Sequence, residues 1–361
     1  MDSSQKQTKI SSEEEDILRV LHLPSGLYLP MVLKAAIELD LFEIMAKAGP
    51  EAQLSSDEIA SAIPSQNHNL PAMISRMMRF LASHSFFNCS ISSGEDGIVK
   101  RLYSLEPICR NFVRNEDGTS LGSLLLFPFD KVMLEAWYNL KDAILEGGVP
   151  FDRAHGMHAF DYPSTDSRFN KVLNNGMYSY TKMATNRILE VYSGFEGVKE
   201  MVDVGGGLGA TLNLIASKYP NIRGINFDLP HVIKDAPTCS GVEHVGGDMF
   251  ESVPKGEVIF MKWILHDWSD EHCLKLLKNC WKALPETGKV ILVDAVLPEY
   301  PETDLLSKMG FHYDMAMMTI SPGGKERTKE ELEKLAKSAG FTDMKLISRV
   351  YCDWIIELYK N

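Results

Sequence analysis

One histidine, one glycine loop and the acids spaced behind them are the residues here that could carry chemistry. His266 stands in the run Phe260-Met261-Lys262-Trp263-Ile264-Leu265-His266-Asp267-Trp268-Ser269-Asp270. It falls just past the end of an expected strand, with tryptophans on both sides that could exclude water. An imidazole, with an unperturbed pKa of about 6.5, exchanges protons near neutral pH. A phenol has a pKa of about 10, so its oxygen needs a base before it can attack at pH 7. A carboxylate at the other ring nitrogen would fix the tautomer and stabilise the imidazolium. Asp294, at the end of the next strand, and Glu326 are candidates for that carboxylate, and Asp267 is adjacent in sequence.

The glycine loop reads Val202-Asp203-Val204-Gly205-Gly206-Gly207-Leu208-Gly209-Ala210. Glycines let a backbone turn sharply and approach a ligand closely, and a following helix offers free N–H groups. Gly205, Gly207 and Ala210 also satisfy a dinucleotide fingerprint, so the loop by itself leaves the ligand open. Asp228 ends the next strand, 21 residues past Gly207. A carboxylate there can accept both hydroxyls of a ribose. Asp248-Met249 follows a third strand, where the acid can accept from an adenine amino group and Met249 can pack on the ring.

These residues need a scaffold that brings strand ends together. Strand candidates are Glu200–Val204, Ile222–Phe227, Val242–Val245, Val258–Met261 and Val290–Asp294. Helices are expected between them over Ala210–Lys218, Glu271–Leu284 and Thr328–Ala339, with a closing strand pair at Met344–Ile347 and Tyr351–Leu358. The alternation predicts a doubly wound α/β sheet, with ligands outside the carboxyl ends of its strands. Upstream, residues 116–195 read as a helical connector, broken at Gly147-Gly148 and Tyr162-Pro163.

Residues 1–115 read as a separate domain. Residues 1–10 are polar and expected to be disordered. Ser12 with Glu15, and Ser55 with Glu58, could form capping boxes. A long helix is expected around Leu29–Ala46, and Pro71 suits a first helical turn. Two strand segments, Phe86–Ile91 and Val99–Leu105, flank the turn-rich Ser92–Gly97. Three helices and a hairpin make a winged-helix-like unit.

The chain has 361 residues, 45% of them hydrophobic, and a formal net charge of −12. That charge argues against a nucleic-acid backbone or an anionic membrane as the main partner. Six cysteines without CxxC spacing suit a reduced intracellular, cytoplasmic protein, and no zinc-ligand pattern occurs. No signal peptide is read, and no apolar run is expected to be long enough to span a bilayer.

The glycine loop, Ile225-Asn226-Phe227-Asp228-Leu229-Pro230-His231-Val232, Gly246-Gly247-Asp248-Met249-Phe250, His266-Asp267-Trp268-Ser269-Asp270-Glu271 and Pro322-Gly323-Gly324-Lys325-Glu326-Arg327-Thr328 together resemble the plant caffeic acid-type O-methyltransferases. The resemblance spans essentially the whole chain, including Leu29-Pro30-Met31 and Phe169-Asn170-Lys171-Val172. It implies a Rossmann-like, seven-stranded class I methyltransferase domain over 116–361. An N-terminal winged-helix dimerisation domain over 1–115 would make a homodimer. S-adenosylmethionine would contact Gly205, Asp228, Asp248, Met249 and Lys262 and leave as S-adenosylhomocysteine, with no metal. His266 would be the base, bracketed by Asp294 and Glu326. A small phenol would lie against Phe127, Pro128, Ala159, Pro163, Phe169, Leu173, Met177, Tyr180, Ala316, Met317 and Ser321.

Departures from the family pattern narrow the acceptor. Asp294 stands where these enzymes usually carry Glu, and Leu265 where they carry Cys. Phe127-Pro128 replaces a polar pair, and Pro163 replaces a His. The pocket is therefore expected to be more apolar, suited to a catechol-bearing benzylisoquinoline alkaloid or a neutral phenylpropanoid rather than free caffeate. Two rival readings are an NAD-dependent oxidoreductase and a winged-helix DNA-binding regulator. The first leaves Asp248-Met249 and the His266 run without a matched role. The second rests on Arg76 and Arg79 against the acidic charge of the chain.

Overall fold

The computed structural model describes residues 11–93 and 99–361. The expected disorder of residues 1–10 and most of the turn at Ser92–Gly97 lie outside the described residues. The chain divides into two compact units, Met1–Phe129 and Asp130–Asn361, against an expected boundary at 115/116.

The first unit packs helices on a three-stranded antiparallel sheet, as a winged helix does. Its strands are Leu54–Ser55, Phe87–Ser93 and Val99–Leu105. Its core holds Leu33, Leu41, Phe42, Met45, Ile74, Met78, Phe87 and Tyr103, all buried. Two local expectations are corrected. The first capping box joins Ser11 and Glu14, one residue earlier than expected, while Ser55 and Glu58 pair as expected. The long helix around Leu29–Ala46 is two helices, Tyr28–Glu38 and Leu41–Lys47. They break at Asp40, which takes a left-handed φ of 54°. Asp tolerates that region better than most residues, and Arg114 Nη2 donates to its carboxylate at 2.6 Å.

A third expectation also changes. Residues 12–38 run helically for 27 residues and include an 18-residue stretch of mean hydropathy 1.4, enough by length and composition to cross a membrane. This differs from the expectation that no run is long enough. An apolar set on this segment, including Ile17, Leu18, Leu21, Leu23 and Leu27, is exposed in the single chain.

The second unit is an α/β layer structure. Its strands are β1 (Glu200–Val204), β2 (Arg223–Asp228), β3 (Val242–Gly246), β4 (Val258–Lys262), β5 (Lys289–Leu297), β6 (Asp343–Val350) and β7 (Asp353–Tyr359). They lie in the order β6-β7-β5-β4-β1-β2-β3, with β7 antiparallel to both neighbours and the other pairings parallel. The principal helices are α1 (Ser167–Val191), α2 (Ala210–Lys218), α3 (Asp270–Ala283), α4 (Leu305–Ile320) and α5 (Lys329–Ala339). The near-continuous apolar runs of β1, β4 and β5 follow from burial on both faces. Val202, Ile259, Met261, Val290 and Leu292 pack under α3 and α5. Met201, Phe260, Ile291 and Val293 pack under α1 and α2. The chain winds β1-β2-β3 in one direction and β4-β5 in the other. The switch between β1 and β4 opens a crevice at their carboxyl ends. The glycine loop and the His266 run both begin there.

A two-residue strand, Arg327–Thr328, pairs in parallel with Val296 and Leu297 of β5. Arg327, 2% exposed, carries the contact between this segment and the His266 turn. Its Nη1 donates to Leu265 O at 2.8 Å, its Nη2 to Trp268 O at 2.7 Å and its Nε to Asp270 Oδ1 at 2.9 Å. A planar fork can serve three acceptors in fixed directions, and a lysine ammonium cannot. Arg327→Lys is therefore expected to lower stability by about 3 kcal/mol, because the Trp268 carbonyl is left with only a weak thiol contact and the Leu265 carbonyl loses its charged donor. Urea unfolding checks this, and a change within experimental error of zero would remove Arg327 from that role.

Candidate active site

His266 sits in a single 3-10 turn, Leu265–Asp267, between β4 and α3. The turn begins at Trp263, a non-glycine residue with φ 58°. That backbone is unfavourable by itself, but neighbours hold it. Trp263 N–H donates to Val293 O at 3.0 Å, and its Nε1 donates to Asp353 Oδ2 at 2.9 Å. Its ring stacks on Tyr180 with centroids 4.2 Å apart.

Sixty residues downstream, the segment carrying Glu326 is laid against this turn. Lys325 N–H donates to His266 O at 2.9 Å, and a Cβ on Gly324 would come within 2.8 Å of that same oxygen. Glu326 is fixed in turn by its N–H, which donates to Asp314 Oδ1 at 3.0 Å. Its Oε1 lies 2.8 Å from His266 Nδ1. Nε2 is left facing Asp267 Oδ1 at 3.7 Å, beyond hydrogen-bond range. Asp294 makes no hydrogen bond to His266. Both its oxygens are buried without a partner, so it acts on the ring through its field alone.

The electrostatics follow from this enclosure. Burial by itself would keep His266 neutral, but Asp267, Glu326 and Asp294 outweigh burial and push the imidazole up to about 10. Burial raises Asp294 to about 8 against the pull of His266, and raises Asp267 to about 6.

The glycine loop is built so that only small residues fit. A Cβ on Gly205 would lie 2.3 Å from Ile264 Cδ1, and one on Gly206 would lie 2.1 Å from Asn226 Oδ1. Gly205, Gly207 and Gly209 all have positive φ. Asp228 ties the loop down. Its Oδ2 accepts from Gly207 N–H at 2.8 Å and its Oδ1 from Leu229 N–H at 2.7 Å. A carboxylate has about four acceptor positions, so two remain for ribose hydroxyls. Asp248 accepts from Phe250 N–H through Oδ1 only. It also lines an open cavity of about 610 Å³ with Phe250 and His272. Met249 packs on the core under α3, where its carbonyl accepts from Asn279.

Lys262, at the end of β4, lies beside this loop. Its Nζ donates to Thr181 Oγ1 at 3.1 Å and stands 3.4 Å over the Trp263 ring. Burial lowers it to about 8 against the pull of Asp203. Burial raises Asp203 to about 7, and its Oδ2 is buried without a partner. An orphaned acid beneath loop glycines, two further acids and an amide-lined turn suit a ligand with an amine, a ribose and an adenine.

The residues expected to face the acceptor are distributed as follows. Phe169, Leu173, Met177 and Tyr180 recur at helical spacing on α1. Phe169 is fully buried, and Met177 and Tyr180 also pack on the core. Ala316 and Met317 lie on α4, and Ser321 caps its C-terminus with a buried, unpartnered Oγ. Pro163 lies in a 3-10 turn ahead of α1 and Ala159 in the loop before it, both half-buried. Phe127 and Pro128 belong to the first compact unit. Sequence reasoning assigned no role to Arg327, Asn226 or Asp353, and gave Trp263 only the exclusion of water. Each acts through a partner 19 to 90 residues away, and such separations leave no local signal. Among the described residues no group of His, Cys, Asp or Glu is arranged to hold a metal ion.

Residues 137–342 match the O-methyltransferase domain family, and residues 21–115 match the O-methyltransferase dimerisation domain family. A caffeic acid 3-O-methyltransferase of Catharanthus roseus is 56% identical over 98% of this chain and 98% of its own length. The myricetin 3-O-methyltransferase 3 of Solanum habrochaites is also 56% identical, over 97% of this chain and 98% of its own. Human N-acetylserotonin methyltransferase, solved in complex with SAM, shares the fold. It has a TM-score of 0.80 and 21% identity, covering 100% of this chain and 99% of that one. These matches displace the oxidoreductase and DNA-regulator readings. The chain belongs to the S-adenosylmethionine-dependent O-methyltransferases, with a dimerisation domain ahead of its methyltransferase domain.

Proposed function

We propose that this enzyme methylates a phenolic hydroxyl of a catechol-type plant molecule, a neutral phenylpropanoid or a benzylisoquinoline alkaloid, with His266 as general base. The observation that carries the reading is the 2.8 Å contact between His266 Nδ1 and Glu326 Oε1. With Nδ1–H donated to Glu326, Nε2 keeps the lone pair and accepts the phenol proton. An imidazolium near 10 matches the phenol's own pKa of about 10, so the proton moves with little free-energy change. Asp294, raised to about 8 by burial, makes no hydrogen bond to the ring and adds negative charge beside it only as it ionises toward alkaline pH. S-adenosylmethionine, when bound, supplies an electrophilic methyl group on sulfur. Gly205, Asp228, Asp248, Met249 and Lys262 would hold it. Orientation of the acceptor oxygen by the α1 and α4 side chains contributes most of the remaining acceleration, since held reactants reach effective molarities on the order of 10⁵–10⁸ M.

The protein acts as a homodimer, joined through the first unit, where the exposed apolar set on residues 17–27 would be covered. Six free cysteines suit a reducing, cytoplasmic setting.

His266→Gln is expected to abolish methyl transfer to a panel of catechols while keeping S-adenosylhomocysteine binding within about twofold, because the substitution removes the base and leaves the loop. Near-normal turnover would remove His266 from the mechanism. With wild-type enzyme, kcat/KM is expected to climb as pH rises from 7 toward about 10, as the imidazolium loses its proton. The Glu326 carboxylate favours the charged ring, so Glu326→Gln should move this limb to lower pH. It should also lower the plateau by about 10²–10⁴ through loss of the fixed tautomer. A limb that stays in place would separate Glu326 from the base. Leu18→Asp with Leu21→Asp is expected to turn the dimer into a monomer by light scattering, and a persisting dimer would move the interface elsewhere.

A further inference from the structure

Tyr313 faces Tyr180 across the space between α4 and α1. Their hydroxyl oxygens are 3.1 Å apart. The thiol of Cys352 completes a triangle, 3.8 Å from the Tyr180 oxygen and 3.5 Å from that of Tyr313. Three donors share this triangle, but a thiol is a weak partner. One edge is therefore a sound hydrogen bond and two are long contacts to sulfur. An incoming oxygen that accepts from the hydroxyl not donating in that bond displaces only a sulfur contact, at little cost.

The place of the pair on α4 sets what it can reach. Tyr313, Met317 and Ser321 follow one another at intervals of four residues, on one face of the helix. Ser321 is the end nearest His266, for a Cβ on Gly324 would meet Ser321 Cβ at 2.6 Å and His266 O at 2.8 Å. Eight residues separate Ser321 from Tyr313, an axial distance of about 12 Å. The face thus has a polar group at each end with Met317 between. The cation beside the far end, Lys262, is engaged elsewhere: its Nζ donates to Thr181 and stands over the Trp263 ring that stacks on Tyr180. Burial pushes both phenols well above their usual range, so they stay uncharged. Asp353, whose Oδ1 is 3.9 Å from Cys352 Sγ, supplies negative charge behind them. That charge disfavours a carboxylate beside the pair, whereas a neutral oxygen can accept a hydrogen bond from it.

We propose that Tyr180 and Tyr313 form a second polar anchor of the acceptor pocket, taking an uncharged hydroxyl or ether oxygen on a ring remote from the one that is methylated. The inference rests on the reading of this enzyme as a phenol methyltransferase, and it makes Tyr313 a specificity-determining residue. The acceptor class is then a two-ring aromatic with oxygens at both ends, rather than a short phenol or a free acid.

A matched pair of probes tests it: 3′,4′,7-trihydroxyflavone and 3′,4′-dihydroxyflavone, which differ only in the remote hydroxyl. Dissociation constants are read from tryptophan fluorescence with S-adenosylhomocysteine present, and kcat/KM from methyl transfer. Wild-type enzyme is expected to favour the trihydroxy compound by about three- to tenfold, the worth of one neutral hydrogen bond. Tyr313→Phe should bring that ratio close to one in both measurements. Tyr180→Phe removes the other hydroxyl and reads the same ratio if Tyr313→Phe does not fold. A wild-type ratio near one overturns the proposal. So does a ratio that survives both variants, or equal weakening of both probes, which is what a merely structural pair would give. A binding ratio that responds as expected without any methyl transfer would support the anchor while sinking the catalytic reading.

Discussion

Everything at the reactive end of this enzyme depends on one buried guanidinium. The turn carrying His266 exposes the carbonyls of Leu265 and Trp268 to the protein interior, where unpaired oxygens are costly. Arg327 satisfies both and reaches Asp270 as well. In doing so it carries its neighbour Glu326 to the imidazole. The His266–Glu326 contact is thus a by-product of a backbone requirement: a strand end that stops short of a helix has carbonyls to satisfy, and the donor comes from about sixty residues away.

The same economy runs through the cofactor side. Asp228 steadies the glycine loop through the N–H of Gly207, so the acid that would receive a ribose first shapes the cradle. Trp263 is held in an unfavourable backbone by Asp353 and Tyr180, and its ring then lies under Lys262. Buried charges are kept close enough to compensate one another. Asp203 and Lys262 face one side of the sheet and Asp294 the other, as the two-residue period of β1, β4 and β5 requires. The acids would be untenable singly in this interior. Together with Lys262, His266 and Arg327 they form a field that stays balanced only while the sheet keeps its register.

Much of this was legible in the residues. β1 is Glu200–Val204 and α2 is Ala210–Lys218, as the apolar runs and the glycine loop indicate. The loop, Asp228 and His266 fall at strand ends because local pattern places strand ends. Errors came where a tertiary partner overrode local preference. Asp40 broke a helix that composition favoured, and Arg114 steadied the break. Ser11 rather than Ser12 capped the first helix, a choice of one residue that side-chain spacing alone does not resolve. The helix α4, bearing Ala316, Met317 and Tyr313, was not delineated, because its apolar residues run around more than one face.

The sequence by itself determined which groups are present and where each stands along its own element, because hydrophobic period, glycine and capping residues act over a few positions. Only the tertiary structure decided which of them meet. Glu326 bonds the imidazole while Asp294 does not, since the segment held by Arg327 brings Glu326 to the ring and both Asp294 oxygens stay without a hydrogen bond. Tyr180 and Tyr313, 133 residues apart, share a hydrogen bond that no spacing announces. Hydrogen bonds act over about 3 Å, and only packing brings distant segments within that range.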